Sequence, residues 1–450
     1  MGLNRRQWLA AVGAGALGAP RLGALEGAGD APRRDLRITA LRATPIALPD
    51  PPILAASGCH GPYFLRTLVE VETADGVTGI GETYGGEDVT AAFERVPPIV
   101  AGKSAFAYRS FAAEVTKLGA AVYAGVELAC LDAVGRATGR RLCEILGGPV
   151  RERVEFGSYL FFRYAADHPK LLADPRVADG RGRGDKALDG WGEVRTPEAM
   201  AEMAWKFHER WGFRRHKLKA GVLAPDMELE ALRAVNARFG GKHPLRIDPN
   251  DVWSVPTAVR IGKALAELPL EYYEDPVHGQ EAMAEVRKAT GLRMSTNSCV
   301  TAFEHIAGAI ATRPVDVVLC DHHYWGGIPA CQALGRLCEA LGWGLSQHSN
   351  SHAGVTFAAM VHVGACIPQL TFASDTHAPW LVDGADVIAG TPLRIRGGEV
   401  EVPAGAGLGV ELDRDRVARA NEVYRKCGMR RRDDAFTQRL VEPGWKRGAF

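Results

Sequence analysis

Seven polar positions recur along this chain at a nearly constant interval: Lys217-Leu218-Lys219, Asp248-Pro249-Asn250, Glu274-Asp275-Pro276, Asn297, Asp321, His348 and Asp375. Successive members lie between about 23 and 29 residues apart, the length of one strand plus one helix. Asp248, Glu274 and Asn297 supply three hard oxygen donors from three successive runs. With water or substrate filling the other positions, two carboxylates and an amide oxygen suit Mg²⁺ and not Zn²⁺. Helix capping is the competing reading, because Asp and Asn after a strand often cap the next helix. Repetition at three consecutive strand ends favours the metal.

Lys217 and Lys219, two apart on one strand, project from the same face. Two inward ammonium groups are costly unless they meet anions or lose a proton. One can hold a carboxylate while its charge depresses the pKa of the other, which becomes a usable base. A solvated edge strand is the alternative. Asp321 and His348 end neighbouring runs, and a carboxylate bonded to one imidazole nitrogen orients the ring as a general acid/base. His322, His323 and His352 lie close in sequence and read as structural, since only His348 is matched in depth to Asp321. A metal, a lysine on one face and a His/Asp pair on the other suit proton abstraction next to a carboxylate.

The elements that must carry these groups are short apolar runs, each stopping at one of them: LRID, EYYED, LRMSTN, VDVVLCD, GLSQH and LTFASD. With VEFGSYLFF and FRRHKLKA they make eight strands, and helical stretches such as TPEAMAEMAWKFHERW separate them. That alternation predicts an α/β fold, a (β/α) TIM-type barrel over 151–381, whose strand ends share one mouth. Before it, 35–150 reads as an α+β capping domain, with strands in LRITALRATPIAL, FLRTLVEVETADG and VTGIGETYGG. A turn falls at Ala74-Asp75-Gly76, and helical periodicity runs through VTAAFERVPPIV and VYAGVELACLDAVGRATG. The segment 382–450 turns β-rich, then helical at Asp413–Lys426, and is expected to return to the capping domain. A Gly-, Asp- and Arg-rich insert from Arg163 to Arg195 reads as a functional loop or as a solvated insertion without a role.

Composition bounds the rest. A net charge of +1 offers no field to recruit nucleic acid or an anionic membrane. Nine scattered cysteines without a CxxC argue against a disulfide framework or a thiolate metal site. The leader, 1–34, contains Asn4-Arg5-Arg6-Gln7-Trp8-Leu9 before an Ala/Gly-rich stretch too short and glycine-rich to span a bilayer. It reads as a twin-arginine export signal, placing the protein in the periplasm; a chance arginine pair on a cytoplasmic protein is the alternative.

At these residues the chain resembles the enolase superfamily, mandelate racemase subgroup, and within it the glucarate dehydratase family, from about Asp35 to Trp445. The marks are Lys217-Leu218-Lys219 followed by Ala220-Gly221-Val222-Leu223, Asn297 within Ser295-Thr296-Asn297-Ser298-Cys299-Val300-Thr301, and His348-Ser349-Asn350-Ser351-His352. Asp375-Thr376-His377, Tyr159-Leu160-Phe161, and Arg432-Asp433-Asp434 before Pro443-Gly444-Trp445 complete them. The resemblance implies Mg²⁺ on Asp248, Glu274 and Asn297. It makes Lys219 one acid/base catalyst with Lys217 beside it, and His348 paired with Asp321 the other. It places Asn250 as a polar contact near the metal, and His60, in Gly58-Cys59-His60-Gly61-Pro62-Tyr63-Phe64, on a loop that closes over substrate. Tyr159, Phe161, Ser349, His377 and Arg432 match substrate-binding positions, and Asp375 completes the barrel mouth. The implied activity is dehydration of an acid sugar, glucarate first, by a homo-oligomeric hydro-lyase. An epimerase or dehydratase for another hydroxy acid shares the first half of that chemistry; a non-catalytic sugar-acid binding protein would keep only the fold.

Overall fold

Three long strands, β1 (Ile38–Pro49), β2 (Tyr63–Thr73) and β3 (Thr78–Tyr84), form an antiparallel sheet in that order in the computed structural model, which describes residues 35–177, 190–382, 384–448 and 450. The β2–β3 connection turns at Gly76, whose φ of 74° a side chain would resist, and the Thr73 N–H donates to the Val77 carbonyl across it. Helix α1 (Ala120–Thr138) lies on this sheet and is buried from Val122 through Gly135. Its buried residues are apolar apart from Glu127 and Asp132, whose carboxylates accept hydrogen bonds from Ile328 and from Ile80 and Leu408. The helical stretch read before it is split into Glu87–Phe93 and Pro97–Val100, because Pro97 and Pro98 lack the N–H that would continue the ladder.

Eight parallel strands follow: β4 (Arg153–Phe161), β5 (His216–Lys219), β6 (Leu245–Asp248), β7 (Leu270–Glu274), β8 (Met294–Thr296), β9 (Val317–Cys320), β10 (Gly344–Gln347) and β11 (Ser374–Thr376). They pair in sequence order, and β11 returns to β4, giving a nearly closed barrel. The seam lies between β10 and β11. There one bridge, Leu345 to Leu370, is helped by Gln347 Nε2 donating to Ser374 Oγ at 2.8 Å and Ser346 Oγ donating to the Ala373 carbonyl at 2.9 Å. Helices α2 (Pro197–Trp211), α3 (Pro225–Arg238), α4 (Val255–Leu265), α5 (Gln280–Thr290), α6 (Ile306–Thr312), α7 (Ile328–Leu341) and α8 (Gly354–Cys366) fill the connections, and α8 is buried over its whole length. The architecture is thus a parallel barrel with an N-terminal antiparallel sheet domain.

Beyond the barrel, β12 (Glu399–Glu401) pairs with β4. Helix α9 (Arg414–Lys426) packs on β1, where Asn421 Nδ2 donates to the Pro45 carbonyl at 2.7 Å. A last helix, α10 (Asp434–Val441), reaches the hairpin at Gly58–Cys59. All nine cysteines are free and all but Cys299 are buried. Among the described residues no helix is long and apolar enough to cross a membrane. The export signal within 1–34 and the middle of the insert, 178–189, lie outside the described residues.

Candidate active site

Strand register brings the chain's charged residues together before any loop is considered. Phe161 pairs with Lys219, and Lys219 with Asp248, on β4, β5 and β6; one step lower, Tyr159 pairs with Lys217 and Lys217 with Arg246. Lys219 Nζ donates to Asp248 Oδ2 at 2.6 Å. Lys217 Nζ donates to Glu274 Oε1 at 2.5 Å and Asp375 Oδ2 at 2.8 Å, and lies 3.3 Å from Asp248. Arg246 adds a third cation, 3.3 Å from Asp375, and Tyr159 O–H donates to that carboxylate at 2.8 Å. Every one of these groups is buried.

Both lysines do face the mouth, yet Lys217 does not have the lowered pKa that a lysine neighbour would impose. Burial works to lower it, but Asp375 and Glu274 outweigh that and hold it well above the usual lysine value. Lys217 is therefore a fixed cation that binds the acids to one another. Lys219 has a single carboxylate partner, Asp248. Burial also raises Asp248, but Lys219 and Lys217 more than compensate and keep its carboxylate ionised. Glu274 goes the other way: burial, reinforced by Asp248 and Asp375, pushes it well above the carboxylate range against the pull of Lys217.

The third donor is placed by an anchor that sequence reasoning passed over. Asp275 Oδ2 accepts the Asn297 N–H at 2.8 Å and its Oδ1 accepts the Thr296 hydroxyl at 2.5 Å, so the loop after β8 is pinned to the end of β7. One end of the Asn297 side-chain amide then lies 3.0 Å from Glu274 Oε1 and 3.2 Å from Asp275 Oδ2. With its nitrogen turned inward the amide donates to both acids; with its oxygen turned inward it offers a hard donor beside them, the orientation a cation held there would favour. The donor set is all oxygen, and the Asp248, Glu274, Asp275 and Asp375 carboxylates outnumber the Lys217, Lys219 and Arg246 cations, so the residues fit a divalent ion such as Mg²⁺. Helix capping does not explain them: the caps of α4, α5 and the turn at Phe303–His305 are Ser254, Gly279 and Ala302.

On the far side of the barrel His348 Nδ1 lies 2.9 Å from Asp321 Oδ2, leaving Nε2 for proton exchange. Asp321 is also the cap of the short helix His322–Trp325, through the His323 N–H, so orientation and capping coexist in one carboxylate. Burial raises Asp321, but His323 and His348 hold it well below the carboxylate range. It stays an anion, the state that orients an imidazole.

Between the two flanks runs a rim of the expected substrate contacts. The Tyr159 ring packs edge-on against His377 at 4.8 Å and Phe161 at 5.7 Å, and Phe161 lies 6.1 Å from His60. Ser349 Oγ accepts the His377 N–H at 3.1 Å. Arg432 donates to His60 Nε2, to both oxygens of Asp434 and, at 3.4 Å, to Asn350 Oδ1, and so joins the Gly58–Phe64 loop to the barrel. Asn250 reaches the site through its backbone, in a left-handed conformation (φ 52°), its N–H donating to Asp248 Oδ1 at 3.0 Å. Sequence reasoning missed Arg246, Tyr84 and Arg66, gave Asp275 no role of its own and set His323 aside as structural. The first has a signal in hindsight, since it stands two residues before Asp248 and must share its inward face.

A parallel barrel, a covering sheet and a mouth holding clustered acids, two lysines and a His–Asp pair define a capped (β/α) barrel of the enzymatic type. Residues 43–147 match the mandelate racemase / muconate lactonizing enzyme N-terminal domain, and residues 199–416 the enolase C-terminal domain-like family. A Streptomyces coelicolor protein named as a probable glucarate dehydratase is 41% identical over 443 residues, covering 92% of this chain and 98% of that one. An enolase from Thermobispora bispora, solved with magnesium and formate, is 40% identical over 92% of this chain and 100% of its own, with a TM-score of 0.84. One from Pseudomonas fluorescens, solved with magnesium, potassium and tartrate, is 37% identical over 92% and 99%, with a TM-score of 0.85. The chain belongs to the enolase superfamily, mandelate racemase subgroup, and is glucarate dehydratase-like.

Proposed function

We propose that this chain is a magnesium-dependent acid-sugar dehydratase, with glucarate the leading substrate. Asp248, Glu274 and Asn297 would hold the ion, which when bound supplies positive charge to a substrate carboxylate and to the enediolate that forms from it. The observation that carries the reading is the convergence of Asp248, Glu274 and the Asn297 side-chain amide at adjacent strand ends, with Lys219 on Asp248 and the His348–Asp321 pair across the mouth. Proton removal from the α-carbon falls to a side chain at the mouth, with Lys219 the lysine free to serve. As the Cβ–O bond breaks, His348 Nε2 gives its proton to the departing hydroxyl, which leaves as water; the enol then tautomerises to a 2-keto-3-deoxy acid. Asp321 keeps the imidazole in the right tautomer, and Lys217 holds the acids at fixed separation. The aromatic rim and the Arg432–His60 contact serve to shut out water and select the substrate.

A panel of sugar diacids and monoacids, assayed with magnesium and again after EDTA, tests this. Water loss that stops with EDTA is expected; turnover without water loss would indicate an epimerase, and turnover of none a binding protein. His348→Asn should cut water loss by about 10²–10⁴-fold. Asp248→Asn should lower activity mainly through weaker magnesium binding, and full activity in either variant contradicts the assignment. The twin-arginine leader is proposed to direct export, which the mass of the mature protein in a periplasmic extract would check.

A further inference from the structure

Asp321 receives more donors than an imidazole-orienting carboxylate needs, and they trace back to the antiparallel sheet. Tyr84, at the end of β3, donates to Asp321 Oδ2 at 3.2 Å. His323 Nδ1 lies 2.6 Å from Asp321 Oδ1, and the same oxygen accepts the His323 N–H at 2.9 Å. On the other edge of that ring, Nε2 lies 3.1 Å from Arg66 Nη2, which comes from β2. A guanidinium only donates, so Nε2 must accept and the ring proton must sit on Nδ1, aimed at Asp321. Arg66 is itself held by Glu82 of β3 at 2.7 Å and donates to Thr356 Oγ1 at 3.0 Å. Glu82 accepts the Ala353 and Thr356 N–H groups at 2.9 and 2.8 Å, at the start of α8. Arg66, Glu82, His323 and Asp321 are none of them more than 6% exposed, and the Tyr84 ring stacks on His323 at 4.6 Å. Donor and acceptor roles are thus fixed along the whole run from Glu82 to His348.

We propose that Arg66, His323 and Tyr84 are positioning residues that set the proton affinity of His348, by holding Asp321 in one orientation and sharing its charge. The proposal rests on the reading of His348 as the general acid. A carboxylate bonded to His348 alone would concentrate its charge there and make the imidazole a poorer proton donor. Divided among the Tyr84 hydroxyl and two His323 donors, Asp321 orients His348 while leaving it able to release its proton. The other titratable groups near His348 are Tyr324, whose ring centre is 5.9 Å away, and His377, on which Lys219 also acts. His322 lies 4.0 Å from Asp321, outside hydrogen-bond range, and Cys320 sits beside Tyr324. His352 stands behind, next to Glu82 and Arg66. None of these replaces the Tyr84 hydroxyl.

Tyr84→Phe removes that one O–H and leaves Asp321 its His323 and His348 donors, so the fold should survive it. The test is the ring titration of His348 by NMR in the full-length, histidine-labelled protein with magnesium, the resonance assigned by its loss in His348→Asn. In Tyr84→Phe the His348 midpoint should rise by about half a pH unit or more, and the basic limb of kcat/KM should move with it. His323→Leu, where it folds, should shift the midpoint in the same direction and further. An unchanged midpoint in Tyr84→Phe, even with lower kcat, would reduce these residues to packing and overturn the proposal. A shifted midpoint in a protein that dehydrates no acid sugar would uphold the network and remove the dehydratase reading instead.

Discussion

In the proposed magnesium site Asn297 would do with a neutral amide what a third carboxylate could do with charge. Its side-chain amide is 3.0 Å from Glu274 Oε1, in a cluster whose acids, Asp248, Glu274, Asp275 and Asp375, outnumber its cations, Lys217, Lys219 and Arg246. Another acid there would add charge to a site in which Glu274 is already pushed toward protonation by burial and its neighbours. Asn297→Leu should weaken magnesium binding by about tenfold or more in a calorimetric titration, whereas Asn297→Asp should retain it, with affinity following ligand charge. Unchanged binding in the leucine variant would remove Asn297 from the ligand set. Arg432 and Asp434 offer a second residue-scale test, on stability. Burial raises Asp434, but the Arg432 guanidinium outweighs it and draws the carboxyl down to about 2. The stability this gives is present above the ordinary value of 3.8 and is lost as pH falls toward 2, so Asp434→Asn should flatten the acid limb of an unfolding profile by about 2 kcal/mol. Residues that end strands were readable from sequence because a polar group halting an apolar run leaves a mark. Asp275 left none of its own, since its carboxylate works on the Asn297 backbone and looks like a bystander beside Glu274.

Strand β3 is the element on which both parts of the molecule depend, and it carries Glu82 and Tyr84 at the end facing the barrel. Its other end is fitted to α1 without clearance: a Cβ on Gly79 would stand 2.0 Å from the Ala129 carbonyl and 2.5 Å from the Ala133 nitrogen. Gly79→Ala should push helix and sheet apart and lower the urea midpoint, at a cost of about 1–3 kcal/mol. Activity should fall with it as Tyr84 moves; a variant as stable as the parent would mean the sheet is more compliant than this packing allows. The barrel strands were legible one by one because each is short and most are followed by a helix of a turn or more that returns the chain to the next strand. The helical stretch before α1 was misjudged in continuity, since a periodicity count does not weigh Pro97 and Pro98 as breaks.

Across the whole molecule the sheet domain and the barrel are joined by buried polar groups, which makes their union sensitive to pH. Glu127 of α1 accepts the Ile328 N–H at 2.6 Å at the start of α7 and the Tyr123 hydroxyl at 3.1 Å. Burial pushes it up to about 7, against the backbone and hydroxyl donors that favour its anion. The folded state thus holds a proton that the unfolded chain loses near 4.5; the resulting stability is full below that value and disappears as pH rises through 7. Glu127→Gln, which mimics the protonated acid, should gain up to about 3 kcal/mol on the parent near pH 8 and little near pH 4.5. Equal gains at both values would contradict the linkage. None of this joining was legible beforehand: Arg66 and His323 are separated by 257 residues, and no local pattern marks such a pair.

The proposed chemistry is removal of a proton next to a carboxylate and expulsion of the neighbouring hydroxyl at the barrel mouth. Incubation of the magnesium-loaded protein with glucarate in D₂O, followed by NMR, measures it directly. A keto acid carrying solvent deuterium on the carbon that lost its hydroxyl is the expected product, and none of it should form with His348→Asn. Glucarate recovered without deuterium and with its hydroxyls intact, from protein shown to bind magnesium, would contradict it.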